Sequence, residues 1–358
     1  MNRSPLRTAG MPHRQGWRVV ELWFALLTFM LTMFAVLDGW NFGAGALHLI
    51  IARPGAERRQ VIAAIGPTWS WHEVWLVAAG ATFLLAFPNV MAVAFSGFYL
   101  ALWLVLWCFV LRGVSIEVGG HLDDPMWQSA WDVIFAVSSL LLSVLFGAAL
   151  GNVIRGVPLD ASGKFSMSLF THFRASGHVG ILDWYTLSVA VFTSVLVLAH
   201  GAAYLWVKTT GVLFERSGLW TRRLWIAVVV MFPIVTLETW IIRPELARAL
   251  VQRPAAWLTA IGLIVGASAI WTGLRRLDDS RTFVGSCVLL ASLLATAAAT
   301  MFPVMLHSTL AAEHSLTAYN GSASHQGLTV ALMWWPLAFA LAITYFFIVR
   351  RSFAGRVA

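Results

Sequence analysis

Charge is what this sequence has least of. Asp, Glu, Lys and Arg make up 11% of its 358 residues, against about a quarter in soluble domains, so they cannot cover a globule of that length. A water-soluble fold is excluded. The formal net charge of +8 comes from arginines in short segments between apolar runs. There it reads as membrane topology and lipid contact, and it gives nucleic-acid binding no support. Cysteine is scarce too. Cys108 and Cys287 lie inside apolar runs without metal-ligand spacing, so they read as packing residues and no metal site is expected. The chain also lacks a C-x-x-C-H haem-attachment motif, a Gly-rich phosphate loop and a Ser-His-Asp pattern in its linkers. No connector exceeds roughly 30 residues or has the composition of a soluble domain, which leaves no room for a separate extramembrane domain.

What is abundant is apolar sequence, 59% of the chain with a mean hydropathy of +0.78. It falls into runs of about 20 residues, each long enough to cross a hydrocarbon core as a helix. The spans expected are 19–42, 71–87, 90–111, 131–153, 180–206, 224–242, 256–274, 283–303 and 326–349. The fold class is therefore an all-α integral membrane protein of about nine transmembrane helices. A single polytopic domain over 19–349 lies between a basic N-terminal tail, 1–18, and a basic C-terminal tail, 350–358. The first run is too long for a signal-peptide core and no A-x-A site follows it, so it reads as a retained span. An odd number of spans puts the termini on opposite sides. A small excess of Lys and Arg on the C-terminal side makes the C-terminus cytoplasmic. Linkers 154–179 and 304–325 are the longest, and no internal repeat stands out.

Polar groups inside the spans carry the functional information, since a carboxylate at the bilayer centre costs at least about 2.5–3.5 kcal/mol. In residues 34–48, Asp38, Asn41, Gly45 and His48 form one stripe if the segment is helical. Gly39 and Gly43 make a GxxxG pair, which lets a neighbouring helix approach closely. Asp38 is either a carboxylate at a helix end reaching interfacial water or part of a buried ion pair or proton path. The second cluster is Trp69-Ser70-Trp71-His72-Glu73-Val74-Trp75. Ser70 and Glu73 have capping-box spacing, the tryptophans read as an interfacial belt, and His72 with Glu73 could instead hand protons into the membrane. Glu238 reads as a snorkelling carboxylate, Asp132 and Asp183 as helix N-terminal carboxylates, and Arg112 as a C-terminal cation. His48, His72 and His200 lie near spans, but lone histidines there more often meet a neighbour than an iron.

Taken in order, several segments resemble subunit II of the cytochrome bd-type quinol oxidases. They are Trp23-Phe24, Asp38-Gly39-Trp40-Asn41-Phe42-Gly43-Ala44-Gly45, Gly66-Pro67-Thr68-Trp69, Glu73-Val74-Trp75-Leu76 and Phe87-Pro88. Leu111-Arg112-Gly113-Val114, Gly151-Asn152-Val153-Ile154-Arg155-Gly156-Val157-Pro158 and Met301-Phe302-Pro303 continue the likeness along the chain. The resemblance implies two four-helix bundles plus a peripheral helix, in a bacterial or archaeal plasma membrane. It implies no cofactor in this chain alone, with b-type and d-type haems and the quinol site in a partner, cytochrome bd subunit I. It leaves room for a small single-span accessory subunit and for a structural quinone or lipid. It also implies a proton channel in some members, built from acids in the first span and at the mouth of the second. Here Asn41 and Ser70 stand where that pattern has carboxylates. One reading makes His72 and Glu73 the mouth, with Asp38 as the inner station. Others are a purely structural subunit, a divergent relative with another electron donor, and, from a different class, a secondary transporter using Asp38 and Glu73.

Overall fold

A single helix, α1 (Arg14–Ile51), runs through the middle of the molecule. The computed structural model describes residues 14–353, except 172 and 175–178, together with 355–357. Most of the expected N-terminal tail lies outside the described residues. α1 continues well past the expected end at 42 because Gly43-Ala44-Gly45-Ala46 packs into its neighbours, and close packing overrides the poor helix propensity of glycine.

The chain then forms α2 (Ala56–Ile65), α3 (Trp69–Ala86), α4 (Pro88–Gly97), α5 (Tyr99–Val118) and α6 (Pro125–Arg155). After a long loop come α7 (Trp184–Lys208), α8 (Gly211–Ile242), α9 (Pro244–Gln252), α10 (Pro254–Arg276) and α11 (Asp279–Met301). A small antiparallel pair, β1 (Val304–Leu306) and β2 (Leu316–Thr317), precedes α12 (His325–Ser352). Eight of these helices are individually long and apolar enough to cross a membrane, and the bent unit made with α4 brings the number to nine. The bend of 118° falls at Phe87-Pro88, where proline lacks an N–H and pushes the preceding residue out of helical geometry. α6 begins six residues earlier than expected because Asp124 caps it, accepting from the Trp127 N–H at 2.7 Å. α8 likewise starts at Gly211, so Arg216, Arg222 and Arg223 belong to a helix rather than a linker.

α1, α3, α5 and α6 form one four-helix group, and α7, α8, α10 and α11 form a second. α1 and α6 join them by packing on α7. Trp23, Phe34, Phe42 and Leu142 fill the first group, while Tyr185, Phe192, Trp225 and Ile270 fill the second. α1 and α7 approach closely at Gly43 and Gly201, where a Cβ on Gly43 would collide with the Val197 carbonyl oxygen and sit 2.8 Å from the Gly201 Cα. The same atom on Gly39 would meet only ordinary contacts, the nearest at 3.6 Å. The glycine that pairs with Gly43 is thus on the facing helix, not one turn back. α12 is peripheral, anchored on α1 and α3 by Trp335 against Trp23 and by Phe339 against Phe29 and Trp75.

Candidate functional site

Three helices deliver the polar groups of the first bundle to one place. α1 carries Asp38 and Asn41 one turn apart, α3 carries His72 and Glu73 near its start, and α5 carries Arg112. The Arg112 guanidinium holds both oxygens of Asp38, at 3.1–3.2 Å, and donates to Glu73 Oε1 at 2.5 Å. Its flat face rests on Phe42, 4.7 Å from the ring centroid, with Phe109 at 5.6 Å. The amide of Asn41 donates to Asp38 Oδ1 at 2.9 Å and meets His72 Nδ1 at 2.7 Å. Asp38, Asn41 and Arg112 are fully buried and His72 nearly so, while the Glu73 side chain keeps 25% of its surface.

Several sequence expectations are corrected by this arrangement. Asp38 does not reach interfacial water, because α1 continues for three more turns beyond it and Arg112 neutralises it. Arg112 is not a helix-end cation, since α5 runs on to Val118 and the side chain turns inward. The capping box of Ser70 with Glu73 does not form: Thr68 is the N-cap, Ser70 is exposed, and Glu73 is spent on Arg112. His72 and Glu73 do not pair at a mouth, for His72 points to Asn41 between Trp40 and Trp71. Trp71 and Trp75 are buried in the α3–α12 contact rather than forming a belt. Trp69 alone stays near the rim, its indole donating to Glu117 at 3.3 Å. The stripe on α1 also divides by neighbour: Asp38 and Asn41 face α3 and α5, while Gly45 and His48 face α6.

Asp132 proves to be two turns inside α6, not at its start. It meets His48 Nε2 at 2.8 Å and accepts from Arg58 at 2.8 Å. Asp183 does cap its helix, in a reciprocal box with Thr186, and it also pairs with Arg155. Glu238 is half-buried, and its Oε2 is buried with no partner among the described residues. His200 lies in the second group with both ring nitrogens engaged, by Ser286 Oγ at 2.7 Å and the Val36 carbonyl at 3.0 Å. No cluster of three or more metal-ligating side chains occurs among the described residues.

Sequence reasoning missed the role of Arg112. The available signal was charge balance: two carboxylates inside apolar spans call for a buried cation, and few candidates exist.

Residues 19–353 match the family model for cytochrome bd terminal oxidase subunit II. The chain is 29% identical to the probable cytochrome oxidase subunit 2 of Haemophilus influenzae, over 90% of this chain and 91% of that one. It is 28% identical to cytochrome bd-I ubiquinol oxidase subunit 2 of Escherichia coli K12, over 88% of each. With cytochrome bd ubiquinol oxidase subunit 2 of Bacillus subtilis the identity is 27%, over 92% of this chain and 96% of that one. A chain of the bd oxidase from Geobacillus thermodenitrificans superposes with a TM-score of 0.67 at 15% identity, covering 94% of this chain and 98% of that chain, a likeness of fold.

Proposed function

Because this chain belongs to the cytochrome bd terminal oxidase subunit II family, we propose that it serves a membrane complex in which quinol electrons reduce dioxygen to water, beside a subunit I that carries the haems. The names of the Escherichia coli and Bacillus subtilis relatives, both ubiquinol oxidase subunits, support a quinol donor. Haems in the partner would supply the electron transfer and the oxygen chemistry. The histidines of this chain support that division of labour, since His48, His72 and His200 all give ring nitrogens to protein partners.

The contribution of this chain itself is a proton station. The observation that carries it is Arg112 shared between Asp38 and Glu73. One cation faces two carboxyl groups, so the trio is electrically neutral when it holds one proton, and coupled carboxyls of this kind titrate as a unit. Glu73 keeps a quarter of its side-chain surface exposed, and Asp38 is sealed inside. Asn41 carries no proton as a carboxylate would, but it ties Asp38 to His72 and fixes their geometry. The cluster lies toward the end where the chain terminates, since Trp71 of the first turn of α3 packs on Phe346 near the end of α12. With that end in the cytoplasm, as the Lys and Arg bias indicates, oxygen reduction would draw its protons from the cytoplasm of a bacterial or archaeal cell, making the complex electrogenic without pumping.

The test is oxygen consumption by the intact complex, co-expressed with subunit I. Asp38→Asn is expected to slow turnover on the order of tenfold or more, the size of effect that follows loss of a proton-transfer group, while the haem spectra stay intact. Unchanged turnover and unchanged pH dependence in both Asp38→Asn and Glu73→Gln would overturn the reading.

A further inference from the structure

Three fully buried residues each keep a polar atom without a partner among the described residues: His48 Nδ1 and Ser139 Oγ at the contact of α1 with α6, and Asn41 Oδ1 two turns back along α1. Asn41 and His48 lie on one face of α1, about 10 Å apart along its axis. Between them, Ser139 fills the notch that Gly45 leaves, because a Cβ on Gly45 would collide with its hydroxyl. The neighbouring serines behave differently. Ser138 and Ser143 each donate to a carbonyl four residues back on their own helix, at 2.7 and 3.1 Å.

A buried polar atom left unpaired costs about 1–3 kcal/mol, and a line of them is most cheaply satisfied by ordered water. The two ends of the line are both acidic. At the rim, Asp132 meets His48 Nε2, with its side chain 21% exposed and Arg58 on its other oxygen. At the inner end, Asn41 joins Asp38 and, through it, Arg112 and Glu73, with His72 beside them.

We infer that water runs along this line and makes Asp132 with His48 a second proton inlet to the Asp38–Arg112 cluster, separate from Glu73. The inference rests on the proton-station reading given above. In one transfer, the carboxyl of Asp132 gives its proton to His48 Nε2, and the proton on Nδ1 leaves through water and the Ser139 hydroxyl toward Asn41 and Asp38. Asp132 ends ionised and is reloaded from bulk water. The imidazole ends neutral in its other tautomer and resets by ring rotation. No redox step is involved. Gly45 admits the Ser139 hydroxyl to the line, and Arg58 holds the Asp132 carboxyl toward the ring.

The experiment uses the complex with its partner subunit, reconstituted in liposomes, with oxygen consumption measured in H2O and D2O. His48→Gln and Ser139→Ala are expected to slow turnover by about tenfold and to raise the solvent isotope effect. Ser138→Ala, which loses only a bond to its own helix, is expected to do neither. Where His48→Gln fails to assemble, Ser139→Ala decides, because it deletes a single oxygen. Parent-like turnover and isotope effect in Ser139→Ala, with Asp38→Asn slow, would overturn the second inlet and leave the station standing. Full turnover in Asp38→Asn would remove the station itself and the inlet with it. A high-resolution map of the complex with no density between His48 Nδ1, Ser139 Oγ and Asn41 Oδ1 would also overturn the inlet.

Discussion

Arg112 shows how much one buried side chain can hold together. Its guanidinium is planar, permanently charged and weakly hydrated, so it can bind two carboxyls while lying flat on Phe42 and Phe109. Removing it would leave Asp38 and Glu73 facing each other without a cation. Arg112→Leu is therefore expected to destabilise the complex by about 3–5 kcal/mol, the range for breaking a buried pair, read as a lower unfolding temperature of the detergent-purified complex. Arg112→Lys keeps the charge and loses the fork, so it should fall between parent and Arg112→Leu; equal stability of all three would refute the account. The partnership was only half legible in the sequence. Asp38 and Glu73 stood out as carboxylates in apolar runs. Arg112 did not, because an arginine near the end of such a run looks like a cation serving the helix dipole, and its partner Asp38 lies 74 positions away. Nothing in Trp71-His72-Glu73 says that these sequence neighbours turn to different partners, His72 to Asn41 and Glu73 to Arg112.

At the scale of elements, close approach and breakage explain most of what differs from the expected spans. The spacing of Gly39 and Gly43 was legible, but which of them touches a backbone depends on the crossing of α1 over α7. Gly43→Ala is expected to cost about 1–3 kcal/mol through forced separation of those helices, whereas Gly39→Ala should be tolerated. Thermal unfolding of the two variants separates the cases, and equal loss in both would contradict the contact. The loop after α6 contains a smaller device. Asp160 Oδ1 accepts from the Ser162 hydroxyl and from the backbone N–H groups of Ser162 and Lys164. The Ser162 hydroxyl first, then the Lys164 amide, hold the Asp160 carboxyl below its ordinary value of 3.8. A lowered carboxyl stabilises the folded loop above that ordinary value and loses its effect as pH falls through the lower folded one. Amide exchange of residues 160–164, corrected for intrinsic rates, should therefore show protection that persists to about pH 4 and fades below it; Asp160→Asn should lack the pH-dependent part.

In the molecule as a whole, the count of spans and the membrane class were read from the apolar runs because a bilayer leaves few alternatives. The grouping into two four-helix bundles with a peripheral helix came from the family resemblance, since the spans alone do not say which helices touch. α12 illustrates this: it packs on the first group but is tied at its end to the second. Lys208 Nζ donates to the Phe353 carbonyl, the Val357 N–H to the Lys208 carbonyl, and Gln60 to the Val357 carbonyl, each at 2.7–2.8 Å. Arg356 pairs with Asp279 at the start of α11. Deleting residues 353–358 is expected to leave the complex assembled but to speed amide exchange and proteolysis at the end of α12; unchanged exchange there would show that the strap bears no load. The separation of Asp38 from Arg112 has a different consequence, in biosynthesis. At about 5–20 residues per second, the ribosome takes several seconds to make the 74 positions between them. For that interval α1 emerges with an uncompensated acid in its middle. It should therefore linger beside the insertion machinery instead of dispersing into lipid, until α5 is made and the arginine releases it.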